Sequence, residues 1–172
     1  MECIICGKDC EAQSFKKVDG KAVCMDCLYR DTAPVMIWPI GTVVNDKKRK
    51  KKGFGTTAGD VSEIHLLPAM EMLMKGLSEE SHLTVIWYLS ETREIKSLFR
   101  RGWDKKMVGP FASRTPDRLT PIGVSDVEIL EVIGTVIKVR GLDAINGTPV
   151  LDIKVGMESL KGRGRSDKAQ GR

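Results

Sequence analysis

Two C-x2-C pairs, Cys3/Cys6 and Cys24/Cys27, stand 17 residues apart at the start of this 172-residue chain. No other feature restricts its folding as strongly. Two residues between cysteines let both thiolates of a tight knuckle face one ion, and two knuckles complete a tetrahedral shell. The segment around them has few large apolar side chains, namely Phe15, Val18, Val23 and Leu28. Burial alone does not hold so small a unit together, whereas metal binding coupled to folding does. The expectation is structural Zn2+ on Cys3, Cys6, Cys24 and Cys27. Four thiolates close the shell and leave no open position for catalysis. A redox C-x-x-C normally belongs to a larger α/β unit, and disulfides need an oxidising compartment. Cys10 is left over, either as a spare thiol or, with shifted pairing, as an alternative ligand.

The rest of the chain reads as strands. Hydrophobic residues make up 41% of the sequence, enough for a core. Residues 32–34 read as a linker and 36–44 as a first, β-branched strand. Residues 45–60 contain a lysine run with Gly53, Gly55 and Gly59 and read as a long loop. A second strand follows over 61–67, then a short helix that starts at Pro68 and stops at Gly76. Residues 83–89 form the best candidate for a buried strand. Residues 91–107 are charged and read as partly helical, and Gly109-Pro110-Phe111 returns the chain to the fold. Over 127–139 the apolar phase slips at Ile129-Leu130, which predicts a bulge ahead of a hairpin turning at Gly134. Residues 150–153 give a last strand. Helical stretches are too few for βαβ crossovers, so the fold class is mainly β: a small antiparallel β-barrel with few short helices, preceded by a small zinc-binding domain. The expected segments are a four-cysteine module over 1–33, the barrel domain over 34–158 and a basic flexible tail over 159–172.

Charge is concentrated rather than spread. Residues 45–53 carry six Lys/Arg and one Asp, and residues 159–172 carry five Lys/Arg and one Asp. Clustered positive charge of this kind suits a polyanion such as nucleic acid. The longest apolar stretch falls well short of the roughly 18 residues of a membrane span. Met1-Glu2-Cys3 opens no basic and apolar leader, so a soluble cytoplasmic protein is expected.

Nucleotide and hydrolase motifs are absent: there is no G-x-G-x-x-G after a strand, no P-loop, no H-E-x-x-H and no G-x-S-x-G. His65 and His82 lie in strand-like segments and read as hydrogen-bonded structural histidines. Met70, Met72 and Met74 read as adaptable packing.

Four stretches in order carry a resemblance: W-P-I-G-T-V from Trp38, G-L-S-E-E-S-H-L from Gly76, F-A-S-R-T-P-D-R-L-T-P-I-G from Phe111 and G-L-D-A-I-N-G-T-P-V-L-D-I-K from Gly141. Over about residues 36–157 the chain resembles the TsaA-like, or TrmO, family of S-adenosylmethionine-dependent tRNA methyltransferases. The resemblance implies a small β-barrel that binds S-adenosyl-L-methionine near a homodimer interface. It also implies methylation of the exocyclic nitrogen of threonylcarbamoyladenosine, beside the tRNA anticodon. By motif position it implies cofactor contacts from Arg114, Val124, Asn146, Gly147, Thr148 and Pro149. Ser90 and Glu91, after the S-H-L strand, and the loop at Lys51, Lys52 and Gly53 occupy further contact positions. The candidate tRNA contacts are Lys47, Lys48, Arg49, Lys50, Lys51, Lys52 and Arg118.

Some positions depart from the family pattern. R-P-N-P-I-G is here R-L-T-P-I-G, with Leu119 and Thr120, and D-G-T-P is N-G-T-P, with Asn146. The usual histidine and glutamine after the S-H-L strand are Ser90 and Glu91. No catalytic triad or catalytic metal is needed, because the sulfonium already activates the methyl group. Holding acceptor and methyl in line is the main requirement. The zinc module and the basic tail lie outside the resemblance. A non-catalytic cofactor-binding or RNA-binding module, and a methyltransferase for another substrate, are the alternative readings.

Overall fold

Six strands that alternate inward and outward side chains close on themselves. The computed structural model describes residues 1–11, 14–47, 60–90 and 94–161. In chain order the strands are β1 (Phe15–Val18), β2 (Lys21–Cys24), β3 (Gly41–Val44), β4 (Val61–Leu66) and β5 (His82–Tyr88), followed by β6 (Phe99–Arg100), β7 (Met107–Val108), β8 (Ile122–Ile133), β9 (Val136–Arg140) and β10 (Pro149–Val155). The helices are α1 (Met25–Tyr29) and α2 (Met157–Lys161), with short 3-10 turns between strands. The barrel runs β10-β3-β4-β9-β8-β5, antiparallel throughout. No helix among the described residues is long and apolar enough to cross a membrane.

The barrel interior is filled. Val43, Ile64, Leu83, Val85, Ile137, Val139, Leu142 and Val150 are fully buried, with Val127, Ala144, Leu66 and Trp87 beside them. Apart from Leu142 and Ala144, which come from the segment between β9 and β10, these are alternate residues of their strands, as period-two patterning requires. Two buried polar groups are satisfied in place: Ser125 Oγ accepts from Trp87 Nε1 at 3.1 Å, and Ser62 Oγ accepts from Asn45 Nδ2 at 2.9 Å. Register shifts between Ile129 and Glu131, where the phase slip foretells a bulge, and Gly134 turns the hairpin.

The chain divides into two compact units, residues 37–90 with 122–172 and residues 1–36 with 91–121. The first is the barrel. In the second, β1 and β2 form a hairpin that leads into α1, and Cys3, Cys10, Val23 and Cys24 make a small core with Phe15, Val18, Cys27 and Leu28 against it. Val18 bridges to Ile95. Asp19 N donates to Ile95 O at 2.9 Å, and the Asp19 carboxylate accepts from Ser97 N at 3.1 Å and from the Ser97 hydroxyl. Those Ser97 bonds hold the Asp19 carboxyl below its usual range, the hydroxyl most of all. These units cut the chain differently from the segments 1–33, 34–158 and 159–172 read in the sequence, since 91–121 groups with the cysteines.

Three elements differ from expectation. The first strand starts only at Gly41, because Pro39 has no N–H to donate to a ladder, and Trp38 is 78% exposed. Residues 94–107 contain no helix; β6 and β7 pair as a hairpin around Gly102 and Trp103, since an ion pair between Arg101 and Asp104 closes the tip. Residues 159–161, expected in the tail, complete α2, and Ser159 Oγ accepts from His82 N at 3.0 Å. The remainder of that tail lies outside the described residues. The histidines fit their expected roles, His65 bonding Glu63 at 2.7 Å and His82 bonding Ser81 at 3.0 Å.

Gly123 pairs with Trp87 across β8 and β5, and a Cβ there would sit 2.3 Å from the indole. The indole therefore lies flat on bare backbone. Gly123→Ala should destabilise the barrel by about 1–3 kcal/mol, the usual range for overpacking, in urea melts followed by tryptophan fluorescence. A stability equal to wild type would mean that Trp87 has room to turn aside.

Candidate cofactor rim and cysteine cluster

Strand register brings separated segments together on one arc of the barrel rim. The arc follows the neighbours β8, β5, β10 and β3. Tyr88 at the end of β5 pairs with Ile122 at the start of β8, and Trp87 pairs with Val150 near the start of β10. Pro149 in turn pairs with Thr42 of β3. Ser90, Val124, the turn at Asn146, Gly147, Thr148 and Pro149, and Lys47 thus all belong to the same edge. The interior is packed, and the outer face of this edge is the exposed one. Val124 is 51% and Tyr88 41% exposed there, with Ile86 opposite Val124.

The 145–148 turn is built to hold its shape. Thr148 N donates to Ile145 O at 3.2 Å, Thr148 Oγ1 donates to the same carbonyl at 2.7 Å, and Gly147 has φ of 79°, which suits the third position of a type II turn. Gly147 N donates to Val43 O at 2.8 Å and Asn146 N to Lys47 O at 3.2 Å. Asn146 Oδ1 accepts from Asn45 N at 3.1 Å. An amide oxygen performs this task as a carboxylate would, so asparagine at this position preserves the turn and removes only a charge.

Asn45 is the residue that sequence reading missed. Its Nδ2 donates to Ser62 Oγ and to Ala144 O at 3.0 Å, while its Oδ1 accepts from Lys47 N at 2.9 Å. It ties β4, the 141–148 segment and the exit of β3 into one piece. Its only signal in the sequence was an asparagine just after a strand, where such side chains commonly bond the backbone two residues on. Lys47 belongs to the same clip: Nζ donates to Leu142 O at 2.8 Å and lies 3.6 Å from Asp60. Lys48, Arg49, Lys50, Lys51, Lys52, Gly53 and Glu91 lie outside the described residues.

Arg114 and Arg118 belong to the other compact unit. Arg118 Nε donates to Thr115 O at 2.8 Å, and Nη2 donates to Pro110 O at 2.9 Å and Ser113 O at 2.7 Å. One guanidinium thus gathers three carbonyls and shapes the loop around Arg114. Arg114 itself is exposed, with no hydrogen bond or ion pair to the described residues.

The cysteines converge in that same unit. Sγ atoms of Cys3, Cys6, Cys24 and Cys27 lie within 4.8 Å of one another, with Cys3–Cys27 at 3.9 Å and Cys6–Cys24 at 3.8 Å. A tetrahedron with Zn–S near 2.3 Å has sulfur edges of about 3.8 Å, so the cage fits that ion. Backbone N–H groups already point at it: Cys24 N donates to Cys3 Sγ at 3.3 Å and Cys27 N to Cys24 Sγ at 3.4 Å. N–H donation from Cys24 lowers the Cys3 thiol to about 6, while hydrogen bonding to Cys24 pushes Cys27 up to about 12. Four sulfurs this close do not all ionise without a cation among them. Cys10 is outside the cage, its thiol donating to Lys8 O at 3.5 Å.

Residues 47–160 match the family model of the tRNA-methyltransferase O N-terminal domain. The chain belongs to this family. A relative in Methanothermobacter thermautotrophicus, described as a probable S-adenosyl-L-methionine-binding protein, is 36% identical over 133 residues, covering 76% of this chain and 96% of that one. A protein of the same description in Archaeoglobus fulgidus is 40% identical over 100 residues, and this chain spans 27% of its length. The tRNA (adenine(37)-N6)-methyltransferase of Escherichia coli is 35% identical over 103 residues, covering 54% of this chain and 43% of the enzyme. Among solved structures, TrmO from Pseudomonas aeruginosa aligns with TM-score 0.59 at 21% identity, over 81% of this chain and 64% of that one, which shows a shared fold.

Asn146 gives a test of the turn. Asn146→Asp keeps the acceptor for Asn45 N and should leave stability within about 0.5 kcal/mol, whereas Asn146→Ala should lose about 1 kcal/mol. Chemical denaturation of the three proteins distinguishes them. Equal stability of Asn146→Ala and wild type would remove the turn's dependence on this bond.

Proposed function

We propose that this chain is an S-adenosyl-L-methionine-dependent tRNA methyltransferase acting on the exocyclic nitrogen of threonylcarbamoyladenosine beside the anticodon. The reading rests on family membership together with the convergence of Ser90, Val124 and 146–149 on one arc. When bound, the cofactor supplies a methyl group already activated by its sulfonium. The exposed apolar faces of Val124 and Tyr88 suit its adenine, and the Asn146 amide, anchored through its oxygen, presents its NH2 to a ligand. The Asn45 clip holds that turn rigid, so the site is ordered before anything binds. Arg114, a cation on a preformed loop, suits the cofactor carboxylate or an RNA phosphate. Lys51, Lys52, Gly53 and Glu91 complete the proposed cofactor contacts. Lys47 to Lys52 and Arg118 are the proposed RNA contacts, with Lys47 and Arg118 acting also through the backbone carbonyls they hold. A homodimer in the cytoplasm completes the reading.

The test is to incubate the protein with methyl-labelled cofactor and total RNA, then identify the labelled nucleoside. Label in the modified adenosine is expected, and Arg114→Ala should reduce transfer at least tenfold. Cofactor binding with no transfer to RNA would favour the binding-only alternative, to which Leu119 and Thr120 already point. Transfer to a different acceptor would leave a methyltransferase with another substrate.

We also assign Zn2+ to Cys3, Cys6, Cys24 and Cys27, with a purely structural role. Sequence reading places this module apart from Arg114, but the structure puts both in one compact unit. Cys24→Ser should release the single Zn2+ found by elemental analysis. It should also speed amide exchange at Ser97, whose N–H rests on Asp19 next to the cysteine module. Full zinc retention by Cys24→Ser would overturn the assignment.

A further inference from the structure

An indole at the tip of a basic hairpin is the feature that the rim does not explain. Trp103 lies between β6 and β7 and is 73% exposed, although tryptophan is among the more deeply buried residue types on average. Its segment is nonetheless well fastened. Arg101 Nε donates to Asp104 Oδ1 at 3.0 Å and Nη2 to Oδ2, while Nη1 donates to Ala112 O at 2.9 Å. The Arg101 guanidinium carbon sits 4.5 Å from the ring centroid, a cation–π contact. Arg101 N donates to Lys106 O and Lys105 N to Arg101 O, closing the tip. The ring is therefore exposed and held, not loose.

The charges around it have one sign. Arg100, Lys105 and Lys106 are exposed, and the one acid of the tip, Asp104, is engaged with Arg101. A packed role would bury the ring, and a solubility role would not put an indole there. A flat π-face ringed by cations fits an unpaired nucleobase with its flanking phosphates.

We propose that Trp103 is a stacking platform for an unpaired base of the RNA, with Arg100, Lys105 and Lys106 receiving the adjoining phosphates. The proposal rests on the tRNA reading above and extends it with residues that the cofactor reading does not use. Stacking needs an open base, so the platform selects single-stranded RNA, as in a loop, over a duplex. The Arg101 cation strengthens the stack while leaving the ring accessible.

The experiment measures binding of the full protein, without cofactor, to a short single-stranded oligoribonucleotide and to its fully paired duplex by fluorescence anisotropy. Trp103→Ala should weaken single-strand binding about 5- to 150-fold, leave duplex binding unchanged and leave the salt slope unchanged, because a stacked ring releases no counterions. Trp103→Tyr should stay within a few fold of wild type. Lys105→Gln with Lys106→Gln should lower the magnitude of the salt slope by up to about 1.4, at about 0.7 per phosphate on a single strand. Far-ultraviolet circular dichroism confirms folding, and an exposed ring leaves little core to lose. An unchanged Trp103→Ala affinity, or an equal loss on both RNAs, overturns the platform and assigns the ring to a protein contact. Methyl transfer to tRNA by Trp103→Ala at the wild-type KM overturns it too, while leaving the proposed activity standing. Absence of any RNA binding by the wild type would overturn both.

Discussion

The six-strand barrel fills its interior, among the described residues, with Val, Ile and Leu side chains. That constraint governs everything else in the barrel unit. The proposed site accordingly lies at the rim and outer face, where strands end and loops begin. The antiparallel order β8, β5, β10, β3 then determines which loops meet, so residues as far apart in sequence as 47, 90, 124 and 146 share an arc. Trp87 on Gly123 is the point where core and rim join: the indole fills the interior, and its strand neighbours Ile86 and Tyr88 face outward beside Val124 and Ile122.

Order at the rim comes from polar groups with several partners each. Asn45 uses its amide in both directions and connects three segments of the rim; in the other unit, Arg118 likewise draws three carbonyls of its own loop together. Both satisfy backbone groups that a loop otherwise leaves to water. Such clips suit the proposed methyl transfer, for which holding acceptor and methyl in line is the main requirement. The same logic explains why Asn146 is an economical departure from the family pattern, since its structural bond needs an oxygen acceptor and not a charge.

The second unit solves a different problem. Its small core of Cys3, Cys10, Val23 and Cys24 offers little burial, and the four clustered sulfurs beside it are the group to which the proposed Zn2+ would add order. Asp19 and Val18 then fasten residues 95–97 to the hairpin of the cysteine module. An addition at the start of the chain and an excursion from the middle of the family domain become one body, which carries Arg114, Arg118 and the Trp103 hairpin.

Much of this was legible in the sequence because it is local. Cysteine spacing specifies the cage, period-two patterning specifies most barrel strands, and the phase slip at Ile129-Leu130 announces the bulge. The motif segments pointed to the family, which the match over 47–160 bears out. The hairpin over 99–108 was not legible, since its lysines and arginines suit a helix as well as a turn, and the left-handed backbone at Lys105 with the β6–β7 pairing rules the helix out. Asn45, the Trp87–Gly123 contact and the joining of 1–36 with 91–121 were invisible for a stronger reason. Periodicity reports which way a side chain faces relative to its neighbours in sequence, but not which distant strand lies beside it. The sequence by itself determined which four cysteines cluster, the strand character and the family. Only the tertiary structure decided which loops share an edge, because strand pairing across tens of residues depends on the closing of the whole barrel.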